Sequence, residues 1–155
     1  MIKIFTDGAA QGNPGPGGYG VILKWEKHSK ELSQGYRLTT NNRMELMAVI
    51  AGLKAIRKMG IPVTIYSDSK YVTEAVNQGW IWGWEKIDFK KKANADLWKQ
   101  YIHLHHRFHP KFIWIRGHAG HPENERCDQL AVYAAQGDDL LADEGYEQSA
   151  GNEER

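Results

Sequence analysis

Four carboxylates have positions that suggest chemistry: Asp7, Glu45, Asp68 and Asp128. Carboxylates that lie close together repel one another, which raises their pKa values, and a bound divalent cation relieves the repulsion. A site made only of oxygen ligands favours Mg²⁺ or Mn²⁺ over Zn²⁺. Two such ions about 3.5–4 Å apart could hold a phosphodiester, one activating water and the other stabilising the leaving oxygen. The question is whether the fold brings the four together.

The patterns of apolar residues predict an α/β fold. Strands are expected at 2–6, 19–25, 30–38, 63–67 and 111–116, and helices from about 41 to 59, 69 to 78, 95 to 108 and 123 to 136. The glycine-rich segment 9–18 is predicted to be a loop. This order indicates a five-stranded mixed sheet, an antiparallel meander plus two parallel strands, with helices packed on it.

This topology would place all four carboxylates at one edge of the sheet. Asp7 and Asp68 are expected at the carboxyl ends of parallel strands, and Glu45 in the first turns of a helix that begins at the same edge. Asp128 lies on the second turn of the last helix and shares a face with Ala131, so we expect it to point inward. Open sheets with parallel strands commonly bind ligands at this edge.

Each acid also has a purely structural explanation. Asp7 before a glycine could be a turn residue, and Asp68 could cap a helix. Glu45 could be favoured by the helix dipole. An inward Asp128 is harder to explain in this way, because a buried acid needs a partner. The convergence of all four favours a metal site.

Composition narrows the classes of protein that fit. The chain has 155 residues, 41% hydrophobic and 25% charged, which is typical of one globular domain. No apolar run is long enough to span a membrane, and the start of the chain, residues 1–7, meets a charge too early for a signal peptide. The single cysteine, Cys127, excludes an internal disulfide and favours a reducing compartment, so we expect a cytoplasmic protein. Nothing in the sequence suggests an obligate dimer or a required protein partner, and we expect a monomer.

The charge is distributed unevenly along the chain. Residues 1–136 contain 12 acids and 19 bases, a net charge of +7, whereas residues 137–155 contain seven acids and one base. We predict a domain over 1–136 followed by an acidic, flexible C-terminal tail over 137–155. The basic body suits a polyanionic partner.

Six segments of the sequence resemble bacterial ribonuclease H of type 1, in the same order. They are Ile4–Gly8, Gly12–Gly20, Thr39–Leu46, Ser67–Ser69, Asp96–Trp98 and Gly117–Asp128. The match runs from residue 3 to about 135, and Gly145-Tyr146 extends it. The resemblance implies a ribonuclease H-like fold and hydrolysis of the RNA strand of an RNA/DNA hybrid, leaving 3′-hydroxyl and 5′-phosphate ends.

The resemblance also implies roles for the residues of the site. Asp7, Glu45, Asp68 and Asp128 match the metal-binding carboxylates, which would hold two Mg²⁺ ions, or Mn²⁺, when substrate is bound. Glu45 would stand near the scissile 2′-hydroxyl. His118 matches a mobile histidine that assists proton movement or product release, and an imidazole pKa suits that work. As an alternative, His118 is an ordinary surface histidine.

The residues that resemble the substrate contacts of the family are Asn13, Thr40, Asn41, Asn42, Lys70, Trp80, Trp84, Lys90, Lys91, Lys92 and Asn94. Asn13, Asn41 and Asn42 would contact the minor groove, since an amide both donates to and accepts from a 2′-hydroxyl. The lysines would bind DNA phosphates. Turn and cap chemistry remains an alternative for the asparagines, and core packing for the tryptophans.

Three differences from the family affect affinity rather than chemistry. The basic segment from Trp80 to Lys92 is short and is diluted by Glu85 and Asp88. Lys70 stands where a glutamine is common, and lysine cannot accept a hydrogen bond. Leu38 occupies a position where the family often has an arginine in its DNA-phosphate pocket. Thr40 and Asn94 remain as candidate residues of that pocket.

Three other functions compete with this hypothesis. The chain could be a catalytically weak module that only binds RNA/DNA hybrids, although no carboxylate is missing. It could be a related metal nuclease that cuts DNA, against which the asparagines argue. A zinc site from His103, His105, His106 and His109 is disfavoured, because the first three cannot all face one ion on a helix.

Overall fold

The computed structural model describes residues 1–153, with side chains as far as Ser149. Its strands form one mixed sheet in the order β5-β4-β1-β2-β3-β6. They are β1 (Ile2–Ala10), β2 (Gly15–Trp25), β3 (His28–Thr39), β4 (Val63–Ser67), β5 (Lys111–Trp114) and β6 (Leu140–Leu141). Strands β1 to β3 are an antiparallel meander, and β4 and β5 extend it in parallel with β1. The predicted α/β sheet is confirmed, with a sixth strand added.

The helices are α1 (Asn41–Lys54), α2 (Lys70–Asn77), α3 (Trp80–Lys86), α4 (Ala95–Phe108), α5 (Pro122–Gln136) and α6 (Glu144–Glu153). Hydroxyl oxygens of Thr40 and Ser69 cap α1 and α2 by accepting from backbone N–H groups three residues later. Helix α1 ends at Lys54 rather than near Met59. Its last turn tightens, so that the Ile56 N–H bonds to the Leu53 carbonyl and Ile56 is buried.

Helices cover both faces of the sheet. On β2, Val21 lies against α1, whereas Gly18 and Gly20 lie under the backbone of α5. Consecutive residues of a strand point to opposite faces, so α1 and α5 pack on opposite sides. The core includes Leu46 and Leu53 of α1 together with buried side chains of β1, β4 and α4.

The glycine-rich segment is mostly strand, which corrects the prediction of a loop over 9–18. Residues 11–14 lie between β1 and β2, and the glycines from Gly15 onward belong to β2. A side chain at Gly18 would collide with the Ala131 carbonyl, and one at Gly20 with the Cys127 carbonyl. These glycines therefore allow α5 to lie directly on the sheet.

Residues 140–147 pack on the body, contrary to the prediction of a flexible tail from residue 137, and residues 154–155 of that predicted tail lie outside the described residues. Strand β6 pairs in parallel with β3. The Asp143 carboxylate is buried against the Arg43 guanidinium at 2.7 Å, and Glu147 pairs with Arg37. The prediction failed because a two-residue strand has no alternation to detect, and a buried acid resembles a solvated one in sequence.

Candidate functional site

Strands β1 and β4 place Asp7 beside Asp68. The parallel pairing runs as far as Phe5 opposite Tyr66, so Asp7 and Asp68 follow at the same level. Asp7 was predicted to lie at the end of β1. It lies inside the strand instead, because pairing with β2 continues to Ala10. A side chain at Gly8 would collide with the backbone of α1, so this glycine lets Glu45 approach the strand closely.

Three of the four predicted carboxylates form a compact cluster. Asp7, Glu45 and Asp68 each offer an oxygen atom within 4.8 Å of those of the other two. Asp7 and Glu45 are buried, at 6% and 9% exposure, whereas Asp68 is half-buried. Asp128 lines the same cavity, of about 440 Å³, but does not belong to the cluster.

The protein environment disfavours ionisation of this cluster. Burial, followed by the charges of Asp68 and Asp128, raises the pKa of Asp7 to about 7. Burial and the charges of Asp7 and Asp68 raise the pKa of Glu45 well above its usual range. Burial also raises the pKa of Asp68, and the charge of His118 acts in the opposite direction by lowering it. Without a cation, the fold thus holds carboxyl groups together at an electrostatic cost.

The cluster fits a hard divalent cation. The Glu45 Oε2 atom is buried and has no hydrogen-bond donor. Buried carboxylate oxygens without donors are rare, and a cation can take the place of the missing partner. The Asp7 Oδ1 atom accepts from the Gly8 N–H at 2.9 Å, which orients this carboxylate. All of the available ligands are carboxylate oxygens, the type that Mg²⁺ and Mn²⁺ prefer.

His118 lies on the loop between β5 and α5 and lines the same cavity. Its side chain is exposed, and its φ of 56° is in the left-handed region. The preceding Gly117 allows the loop to approach Asp68, because a Cβ there would stand 2.7 Å from the Asp68 Oδ2 atom. Asp68 is held from another side by Trp114, whose indole N–H donates to the Asp68 carbonyl at 3.0 Å.

Of the three asparagines predicted to contact the minor groove, Asn41 and Asn42 line the carboxylate cavity, and Asn13 is hydrogen-bonded to Asn41. The Asn41 Oδ1 atom accepts from the Ala10 N–H at 2.6 Å, and the Asn13 Oδ1 atom accepts from the Asn41 N–H at 3.1 Å. These two bonds use the side-chain carbonyl oxygens of Asn41 and Asn13, so the amide NH₂ groups of both side chains take no part in them. Asn42 lines both the carboxylate cavity and a larger neighbouring one.

The larger cavity, of about 1030 Å³, brings together further predicted substrate residues: Asn13, Thr40, Asn42, Lys91, Lys92 and Asn94. Its remaining wall includes Arg43, Asp96, Gly145 and Tyr146, which were not predicted as site residues. Arg43, Asp96, Gly145 and Tyr146 all lie in segments that carry the resemblance, but only the fold shows that they share one cavity.

Other predicted substrate residues lie outside both cavities. Trp80 is 47% exposed, and Trp84 packs edge-to-face on Trp98 with ring centroids 5.7 Å apart. Neither these tryptophans nor Lys90 lines either cavity. Lys70 does line the carboxylate cavity, and its Nζ atom stands 5.1 Å from the centroid of the Trp114 ring.

The histidine cluster lacks the geometry of a zinc site. The rings of His106 and His109 lie 6.1 and 5.8 Å from that of His105. Over residues 1–153, Asp7, Glu45 and Asp68 are the one group of three potential ligands close enough to share an ion. Nor does any helix in this range have the length and apolar character needed to cross a membrane.

Fold and site together define an α/β protein with a candidate site for hard divalent cations at the edge of its sheet. The chain belongs to the RNase H family, whose model matches residues 1–136. A relative named Ribonuclease H from Syntrophus aciditrophicus is 54% identical over 151 residues, covering 94% of this chain and 87% of the relative. Another of that name, from Trichodesmium erythraeum, is 52% identical and covers 94% and 96%.

Solved structures share the fold. LC9-RNase H1, described as a type 1 RNase H with the type 2 active-site motif, superposes with a TM-score of 0.78 at 31% identity, covering 96% of this chain and 80% of that one. LC11-RNase H1, solved in complex with an RNA/DNA hybrid, has a TM-score of 0.71 at 26% identity and covers 88% and 97%.

Proposed function

We propose that this protein is an endonuclease that hydrolyses the RNA strand of RNA/DNA hybrids, leaving 3′-hydroxyl and 5′-phosphate ends. The observation that carries the proposal is the buried cluster of Asp7, Glu45 and Asp68, with its unpartnered carboxylate oxygen. Membership of the RNase H family supports it, as do relatives named Ribonuclease H and the hybrid bound to LC11-RNase H1.

Asp7, Glu45 and Asp68 would hold Mg²⁺, or Mn²⁺, and Asp128 at the rim of the cavity would help to hold a second ion with substrate bound. Such ions, when bound, lower the pKa of water and neutralise charge on the leaving oxygen. The carboxylates supply the negative charge that binds them. The Gly8 N–H orients Asp7, and the Trp114 indole fixes the backbone that carries Asp68.

His118 would move a proton at the cleavage site. Its imidazole is exposed on a loop that lines the cavity, and it opposes the rise that burial causes in the pKa of Asp68. An imidazole can both accept and deliver a proton. Glu45 would lie beside the 2′-hydroxyl of the scissile nucleotide.

The asparagines would distinguish RNA from DNA. Because Asn13 and Asn41 use their carbonyl oxygens within the protein, their NH₂ groups are the atoms available to substrate. Such groups can donate to 2′-hydroxyl oxygens and to base acceptors in the minor groove. Asn42 lies where both cavities meet, so it would contact the region between the two strands.

The larger cavity would take the DNA strand. Thr40 and Asn94 offer polar atoms to a phosphate, and Lys91 and Lys92 add positive charge to the same wall. Lys70, Trp80, Trp84 and Lys90 would make weaker contacts, because only Lys70 lines either cavity. We further propose that the protein acts as a cytoplasmic monomer with the hybrid as its sole required partner.

The direct test is cleavage of a hybrid whose RNA strand is labelled, with Mg²⁺ and with a chelator in excess. We expect RNA cleavage that stops with the chelator, and little cleavage of duplex DNA or duplex RNA. Intact RNA with clear hybrid binding would instead indicate a binding module. Comparable rates on duplex DNA would indicate a different class of metal nuclease.

A further inference from the structure

We infer that Asp143, acting through Arg43, positions the wall of the larger cavity, so that the C-terminal segment 140–149 sets the affinity for substrate. This inference rests on the proposed function, because that cavity is where the DNA strand would lie. Asp143 is a positioning residue in this account and does not touch the substrate. The supporting contacts link four parts of the chain.

Arg43 has no hydrogen-bond donor left for a substrate. Its Nε and Nη2 atoms donate to the Asp143 carboxylate, at 2.7 and 2.9 Å. Asp96 accepts from Nη1 and Nη2 at 2.8 and 2.7 Å, and Asn94 accepts from Nη1 at 3.4 Å. A guanidinium has five N–H groups, and these five bonds use all of them. Arg43 therefore organises its neighbours rather than binding a phosphate.

Asp143 holds Arg43 from the side of the C-terminal segment. Its carboxylate is 1% exposed and also accepts from the Thr39 hydroxyl at 2.7 Å. The Tyr146 N–H donates to it at 3.3 Å, which starts α6. One carboxylate thus connects the end of β3, the first turn of α1 and the start of α6. Because it is buried, water cannot replace it if it is lost.

The groups that Arg43 holds are those that face the cavity. Asn94 is fixed at both ends, because its Nδ2 atom donates to the Tyr71 hydroxyl at 3.0 Å while Arg43 holds its Oδ1 atom. Its second amide hydrogen remains available. Thr40 adjoins this arrangement through the backbone only, since its hydroxyl oxygen accepts from the Arg43 main-chain N–H at 3.2 Å. A shift of the Arg43 guanidinium would therefore displace Asn94 directly, and Thr40 only if the start of α1 moved with it.

Gly145 provides a way to disturb this arrangement without changing charge. A Cβ atom there would collide with the Asp96 Oδ2 atom and stand 2.8 Å from the Arg43 Nη2 atom. Gly145→Ala would thus push on the Arg43–Asp96 pair, whereas Asp143→Asn weakens the Arg43–Asp143 pair of the same guanidinium. The two variants separate displacement from loss of negative charge near the proposed DNA strand.

Matched controls lie just before the segment 140–149. Asp138→Asn makes the same change of charge at an exposed side chain. Gly137→Ala adds the same methyl group where the nearest atom, the Tyr133 carbonyl oxygen, is 3.4 Å away. All four variants should be compared with the unmodified chain for hybrid cleavage, at a temperature at which thermal unfolding shows each of them to be fully folded.

We expect Asp143→Asn and Gly145→Ala to raise KM for the hybrid by about fivefold and to leave kcat within about twofold, while the controls match the unmodified chain. Unchanged KM with a lowered Tm would overturn the inference, because Asp143 would then be merely structural. A fall in KM would also overturn it, by indicating that Asp143 masks Arg43 from phosphate. If the unmodified chain cleaves no hybrid, the proposed function fails first, and the two failures are distinct.

Discussion

The Glu45 carboxylate lies within 4.8 Å of that of Asp7, and both side chains are buried, although one comes from α1 and the other from β1. Gly8 makes this approach possible, since any side chain there would collide with the backbone of α1. Two buried carboxyl groups at this distance cannot both ionise cheaply. The protein therefore keeps a site that stabilises a cation at the expense of its own metal-free stability.

Replacing one carboxylate tests catalysis separately from binding. We expect Asp7→Asn to abolish hybrid cleavage, because it removes a metal ligand while keeping the size and polarity of the side chain. Hybrid binding should persist, since the proposed substrate contacts are carried by other residues. Cleavage and binding are measured on the same labelled hybrid. Loss of both together would point to misfolding or to another role for Asp7.

The same substitution should change how stability depends on pH in the absence of metal. Burial and neighbouring charges raise the pKa of Asp7 from 3.8 to about 7 in the folded protein. A raised carboxyl pKa means that the folded state is favoured at low pH and loses stability as pH rises from about 4 through 7. Asn cannot ionise and escapes this loss.

We therefore expect Asp7→Asn to match the unmodified chain near pH 4 and to be more stable by about 1–3 kcal/mol at pH 8. Urea unfolding with a chelator present measures the difference. Adding Mg²⁺ at pH 8 should narrow it by stabilising the unmodified chain. An equal difference at both pH values would show that ionisation of the cluster is not the cause.

His118 should contribute to turnover rather than to folding. We expect His118→Ala to lower kcat by about 100-fold, the lower end of what a proton-transfer group contributes, with little change in Tm. His121→Ala is the matched control, because His121 is exposed on the same loop and its side chain makes no capping bond to α5. Equal kcat values for the two variants would exclude the proposed role.

The lysines of the segment after α3 should differ in importance. Lys91 and Lys92 line the larger cavity, whereas Lys90 does not. Binding to phosphates releases counterions, so each lost phosphate contact reduces the dependence of affinity on salt. We expect Lys91→Ala and Lys92→Ala each to lower the log–log salt slope of hybrid binding by about 0.7–0.9, and Lys90→Ala to lower it less. Equal slopes for all three would contradict the assignment.

The sequence alone was sufficient to predict much of this site. Parallel pairing of β1 with β4 follows from the order of elements, and it places Asp7 beside Asp68 as expected. The position of Glu45 follows from the start of α1 at the same edge. These predictions succeed because they need only strand direction and helix starts, which apolar spacing and capping residues specify locally.

The missed features depend on contacts between distant parts of the chain. Nothing local distinguishes Asp143, which is buried, from the exposed Asp138 and Asp139 nearby. Helix α3 was not predicted from the sequence, because its tryptophans do not follow the spacing of an amphipathic helix. Its packing on α4 decides its structure. Asp128 was expected inside the cluster but lines the cavity beside it, since face assignment on a helix does not fix distance.

The most direct test of the central claim is a crystal structure with Mn²⁺, in which anomalous scattering locates the ion. We predict a peak bound by oxygen atoms of Asp7, Glu45 and Asp68, at about 2.0–2.2 Å, and the loss of this peak in Asp7→Asn crystals. A fully occupied peak elsewhere, with no ion bound by the three carboxylates at saturating Mn²⁺ and neutral pH, would contradict this prediction.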